Sequence, residues 1–161
     1  MTKSKGKQAM KYSEARQGRI FVLRLEHGET VHQVVENFAS DREITAAALI
    51  AVGGADTGST LVVGPEDGGA RPVTPMERIL DNVCEIAGVG TLFPDETGAP
   101  MLHMHMACGR EDKTTTGCIR SGVVTWQVME IVLIELLDTP GRRLMEPDLG
   151  FKLLDPRPKA Q

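Results

Sequence analysis

Residues 82–122 read NVCEIAGVGTLFPDETGAPMLHMHMACGREDKTTTGCIRSG, and their alternation registers two successive hairpins. If the first turns about Thr97, Leu92 opposes Leu102, Gly90 opposes Met104, Gly88 opposes Met106 and Ile86 opposes Cys108. Large methionines then meet glycines on one face, as a packed core requires. The other face sets Thr91 beside His103, Val89 beside His105, Ala87 beside Ala107 and Glu85 near Gly109. A second turn at Glu111-Asp112 places His105 opposite Cys118. Opposed Cβ atoms in an antiparallel pair lie roughly 4.5 to 5.5 Å apart, so His103, His105 and Cys118 are expected to converge on one ion.

Working outward, RIFVLRLEHGE (19–29) alternates as a strand, with Ile20, Val22 and Arg24 on one side and Phe21, Leu23 and Leu25 on the other. TVHQVVENFAS (30–40) places Val31, Val34, Val35 and Phe38 on one helical stripe, with a capping box expected from Thr30 and Gln33. His32 falls off that stripe and is expected to be solvated. TAAALIAVGG and GSTLVVGP predict two strands joined around Ala55-Asp56-Thr57, and PEDGGARPVTP (65–75) reads as a surface loop. VVTWQVMEIVLIELLD (123–138) has the apolar character of a central strand on both faces apart from Glu130 and Glu135, and LGFKLLDP supplies a last short strand. The order predicts an α+β fold, a mainly antiparallel sheet with one principal helix packed on it.

The charge pattern divides the chain. Positions 1–19 hold six basic residues against Glu14, which leaves 12 basic and 21 acidic side chains, a net −9, in the other 142 residues. We expect a basic flexible arm over 1–18, a single domain over 19–155 and a tail over 156–161. A duplex-binding surface normally carries Lys and Arg on folded elements, so DNA binding is expected to be weak and confined to the arm. Three cysteines form no CxxC pair, and the N-terminal residues lack the apolar core of a signal peptide, which points to a cytoplasmic protein. IVLIELL is far shorter than the roughly 20 residues of a membrane helix, so no membrane partner is expected. GGADTGSTLVV leads into a strand rather than a helix, which excludes a dinucleotide fingerprint.

Two imidazoles and a thiolate suit zinc or another divalent transition metal. Cys84 and Cys108 are expected in the core. Glu85, Glu130 and Glu135 read as ion-pair partners for Arg120, Arg142 or Arg143 at an oligomer interface, with nothing fixing two carboxylates at a catalytic separation. Trp126 reads as core or intersubunit packing. A non-catalytic binding module is favoured; the alternative is a metal-dependent enzyme that keeps a fourth coordination position for water and acts on a small molecule.

The chain resembles the PPC (plants and prokaryotes conserved) domain family, stand-alone prokaryotic type, over about Arg19 to Asp155. The resemblance rests on LRLEHGETVHQVVENFASDREITAAALIAVGGA, CEIAGVGTLF, LHMHMACG and GCIRSG followed by MEIVLIEL, in that order and spacing. It implies a homotrimer, to which the apolar surface of VMEIVLIELL also points. It further implies a DNA-binding or regulatory role, an assignment carried mainly by plant members. The prokaryotic His-Leu-His strand corresponds to His103 and His105, and Cys118 stands where a third histidine follows a Gly-Gly pair. Glu85 and Ile86 are what remains of the plant Gly-Arg-Phe-Glu-Ile-Leu element, and with Arg120 they mark a candidate partner or interface contact. An AT-hook Arg-Gly-Arg-Pro sequence is absent.

Overall fold

The computed structural model describes residues 10–157. Positions 1–9 of the basic segment and 158–161 of the tail lie outside the described residues. Among the described residues are ten strands and one α-helix: β1 (Arg16–Glu26), α1 (Val31–Asp41), β2 (Ala47–Ala55), β3 (Thr60–Pro65), β4 (Pro75–Ile79), β5 (Cys84–Pro94), β6 (Pro100–Arg110), β7 (Lys113–Cys118), β8 (Thr125–Leu137), β9 (Arg142–Glu146) and β10 (Phe151–Asp155). Eight strands form one sheet in the order β1-β8-β2-β5-β6-β7-β3-β4, and β9 and β10 form a separate ribbon. Neighbours in the sheet run antiparallel. The fold is therefore α+β, as the sequence predicts.

One sheet face makes the core. Leu49 and Ala51 of β2, Leu102, Met104 and Met106 of β6, and Met129, Ile131 and Leu133 of β8 are buried there. Glycines on β5 make room for the methionines. A Cβ added at Gly90 would lie 2.7 Å from Met104 Cβ, and one at Gly88 would lie 2.9 Å from Met106 Cγ. The helix closes this layer with Val31, Val35 and Ala39, while Val34 and Phe38 pack at its margin. Phe38 meets Phe21 of β1 edge to face, ring centroids 5.2 Å apart.

Several local expectations change. β1 begins at Arg16, three residues before the strand read from the sequence. Thr30 makes no side-chain cap; instead it bridges Val124, and Val31 N donates to Val123 O at 3.0 Å. A tertiary backbone partner has taken the place of the capping box. β2 and β3 are consecutive but unpaired, β2 lying between β8 and β5 and β3 between β7 and β4. The segment read as a loop at 65–75 is a loop over 66–74, and the strand missed in the sequence is edge strand β4, which follows it and pairs with β3.

The sheet also fixes where its carboxylates go. Glu135, 5% exposed, pairs with Arg19 rather than with Arg120, Arg142 or Arg143. Arg19 Nε and backbone N donate to Oε2 at 2.8 and 2.9 Å, and Nη2 donates to Oε1 at 2.7 Å. The Arg19 side-chain bonds, opposed by desolvation and aided by its backbone N–H and charge, lower the Glu135 pKa to about 2 from an ordinary 4.5. A depressed carboxylate stabilises the fold above its unfolded pKa and ceases to do so as pH falls through the folded one. Acidification from about pH 4.5 to 2 should therefore remove on the order of 2 kcal/mol, allowing for screening at half-exposed Arg19. Urea titrations across that window should show this slope flattened in Glu135→Gln.

Candidate metal centre

The face opposite the core carries His103, His105 and Cys118. β6 pairs with β5 in the register read from the sequence, Thr91 opposing His103 and Val89 opposing His105. β7 sets Cys118 opposite His105 and also opposite Val62 of β3. Glu36 of α1 pins the start of β6, its Oε1 accepting the Leu102 backbone N–H at 2.8 Å.

The two imidazoles lie edge to face, centroids 5.0 Å apart, with their Nε2 atoms 3.1 Å apart. Both nitrogens and the Cys118 sulfur lie within 4.8 Å of one another. At ordinary zinc bond lengths, tetrahedral ligands sit about 3.3 to 3.6 Å apart. The histidine pair is close to that spacing, and a modest side-chain rotation brings the sulfur in. Nitrogen and sulfur donors of this kind fit a borderline-soft divalent ion.

Positive charge surrounds the three donors. Arg143 of β9 is 2% exposed. Its Nη2 donates to Thr91 O and Thr91 Oγ1, each at 2.9 Å, and its Nε donates to Met101 O at 3.1 Å. Arg120, in the short 3-10 turn Ile119–Ser121 after β7, is exposed. Although His103 keeps contact with solvent, desolvation, Arg143, His105 and Arg120 together lower its pKa to about 4. Its imidazole is neutral at physiological pH, the form that ligates metals. Burial and Arg120 lower Arg143 to about 10, with Cys118 opposing, and it stays charged at neutral pH.

The other residues singled out in the sequence separate from this group. Glu85 is exposed at the far end of β5, about 20 Å along the strand from Thr91 at ordinary strand rise, and lines a different cleft with Arg110 and Trp126. Glu130 is exposed opposite Arg24. Trp126 is half-buried against Gly54. Cys84 and Cys108 are buried in the core; burial pushes the Cys108 thiol up to about 11. His32, expected to be solvated, is half-buried with its Nδ1 shut off from water and unpartnered among the described residues. It lines a cleft of about 310 Å³ with Glu36, Arg120 and Lys152. The sequence sets Thr91 beside His103 but does not reveal Arg143 as a neighbour of the donors, because a long-range contact between β9 and β5 brings it there.

With this fold and site, residues 12–137 match the Plants and Prokaryotes Conserved (PCC) domain, and the chain belongs to that family, also abbreviated PPC. Its fold is similar to that of a metal-containing protein from Archaeoglobus fulgidus, at 21% identity, TM-score 0.77, 89% of this chain and 98% of that one. It is also similar to a PPC protein from Pyrococcus horikoshii, at 22% identity, TM-score 0.74, 89% of this chain and 97% of that one. A Ralstonia eutropha JMP134 chain named "Putative DNA-binding protein" matches at 21% identity and TM-score 0.66 over 83% of this chain and 88% of its own. In sequence, 135 residues are 26% identical to the bifunctional protein GlmU of Synechococcus sp. (strain JA-3-3Ab), covering 83% of this chain. The chain spans 20% of the length of that curated relative.

Proposed function

We propose that this protein is a homotrimeric metal-binding module of the PPC family, holding zinc or another divalent transition metal on His103, His105 and Cys118. The observation that carries this reading is the convergence of the three donor atoms within 4.8 Å of one another. The metal content of the Archaeoglobus fulgidus relative supports it. A bound ion would supply a Lewis-acidic position beyond its three protein ligands. The groups around the donors, Thr91, Arg120 and Arg143, bind charge rather than abstract protons, which favours a binding role over catalysis. Elemental analysis after purification without chelators or a nickel column should find about one metal per chain, and His105→Ala should lower the affinity by about tenfold or more. A wild-type chain free of metal would end this reading.

A second reading, favoured by the basic N-terminal sequence and by the Ralstonia relative's name, is contact with duplex DNA. We propose that such binding is weak, salt-sensitive and dependent on residues 1–19, because the rest of the chain carries −9 and repels phosphate. Fluorescence anisotropy with a labelled duplex should show binding that falls steeply with added salt and is lost in a chain starting at Gly18. Tight, sequence-specific binding by that shortened chain would contradict the proposal.

A further inference from the structure

We propose that the His103/His105/Cys118 centre also holds a small oxyanion, the carboxylate or phosphate of a small molecule, clamped between the metal and the guanidiniums of Arg143 and Arg120. This rests on the metal reading and adds to it the chemical class of the ligand.

The argument begins with a charge that lacks a counter-charge. Buried arginines are ordinarily paired with an acid, since a guanidinium removed from water without one is costly. Arg143 is buried, yet none of the ion pairs among the described residues includes it. Its hydrogen bonds go to neutral oxygens: two on Thr91 and one on Met101. These bonds orient the fork while neutralising nothing. They occupy Nε and Nη2, so Nη1 has no hydrogen-bond partner among the described residues. That atom is not sealed away either, for the shielded side-chain atoms left unpartnered among the described residues are His32 Nδ1 and Thr125 Oγ1.

Position matters as much as charge. Thr91, which accepts from Arg143, is the cross-strand neighbour of His103, so the guanidinium lies over the β5–β6 pair that presents the donors. Arg120 follows Cys118 by two residues and makes no ion pair among the described residues. In the β5–β6 turn, Asp95, which bridges to Arg143, and Glu96 are already engaged: Lys152 Nζ pairs with each at 2.8 Å. A divalent ion bound by one thiolate and two neutral imidazoles keeps a net positive charge, to which the two guanidiniums add. An oxyanion ligating the open metal position and accepting from Arg143 and Arg120 answers all three charges at once.

The test uses the full chain loaded with Co2+, whose visible absorption reports changes in its ligands. After removal of free metal, cobalt content is measured and the protein is titrated with acetate, with inorganic phosphate and, as an ionic-strength control, with perchlorate. We expect one cobalt per chain and a saturable spectral change with acetate or phosphate but not perchlorate; the stronger of the two identifies the ligand as carboxylate or phosphate. Arg120→Gln, at an exposed position, should retain its cobalt and bind the anion about tenfold more weakly. Arg143→Gln should weaken it further if near-ultraviolet circular dichroism shows the fold intact. Retained cobalt with no saturable response, or a response that Arg120→Gln and a folded Arg143→Gln both leave unchanged, overturns the oxyanion and spares the metal reading. Failure to retain cobalt overturns the metal reading and this inference with it.

Discussion

Gly53→Ala is expected to lower the unfolding free energy by about 4 kcal/mol or more, a loss few single methyl additions produce. Two costs combine at this position. The backbone has φ of +142°, a region that residues bearing a Cβ avoid, with a strain on the order of 1 to 3 kcal/mol. A Cβ there would also collide with the Val128 carbonyl and lie 2.7 Å from Met129 Cα. Both contacts are backbone, so no side chain can swing away, and overpacking adds about 1 to 3 kcal/mol. The collision arises because the β2–β8 register shifts between Gly53 and Gly54, bringing the two strands together at a bulge. Gly58 is the control. Its φ is +83° and no atom of the described residues lies within 4 Å of an added Cβ, so Gly58→Ala should cost only the backbone term, about 1 to 2 kcal/mol. Urea denaturation of the two variants separates the steric cost from the conformational one. A Gly53→Ala protein within 1 kcal/mol of wild type would mean that β2 and β8 do not approach as described.

The stretch from Cys84 to Cys118 was legible for a physical reason. Its strands alternate over most of their length, its turns are short, and Met104 and Met106 each face a glycine, so a one-residue slip would put those methionines in solvent. That local signal was enough to place His103, His105 and Cys118 on one face. The α1 stripe was legible for the same kind of reason, a period that matches one buried side. What could not be read depends on contacts distant in sequence. β4 is exposed throughout and opens on Pro75, so it carries no alternation to detect. Thr30 makes no cap because Val123 and Val124, almost a hundred residues away, take its backbone role. Arg143 reaches Thr91 across 52 positions, and Arg19 reaches Glu135 across 116. No window on the sequence couples such residues. The burial of His32 follows likewise from how α1, β6 and the turn after β7 pack together.

Ile50→Asp is expected to convert the proposed trimer to single chains while leaving each chain folded. Val22, Val132, Ile50 and Val89 oppose one another in a single row across β1, β8, β2 and β5, and the row runs on into His105 and Cys118. Their exposures in the isolated chain are 79%, 36%, 54% and 65%, with Ile20 and Val52 beside them at 54% and 50%. A contiguous apolar surface of this kind marks an interface. Ile50 is the informative position because it is central to the row and two strands removed from the histidines. In a lone chain its aspartate stays in water and the fold tolerates it. In a trimer the carboxylate is buried without a partner in every subunit, at about 3 kcal/mol or more each. Sedimentation at micromolar concentration should give three times 17.5 kDa for the wild type and 17.5 kDa for Ile50→Asp, with unchanged far-ultraviolet circular dichroism. A wild type that sediments as one chain removes the trimer. A variant that remains trimeric removes this face as its interface, and another surface must then account for the assembly.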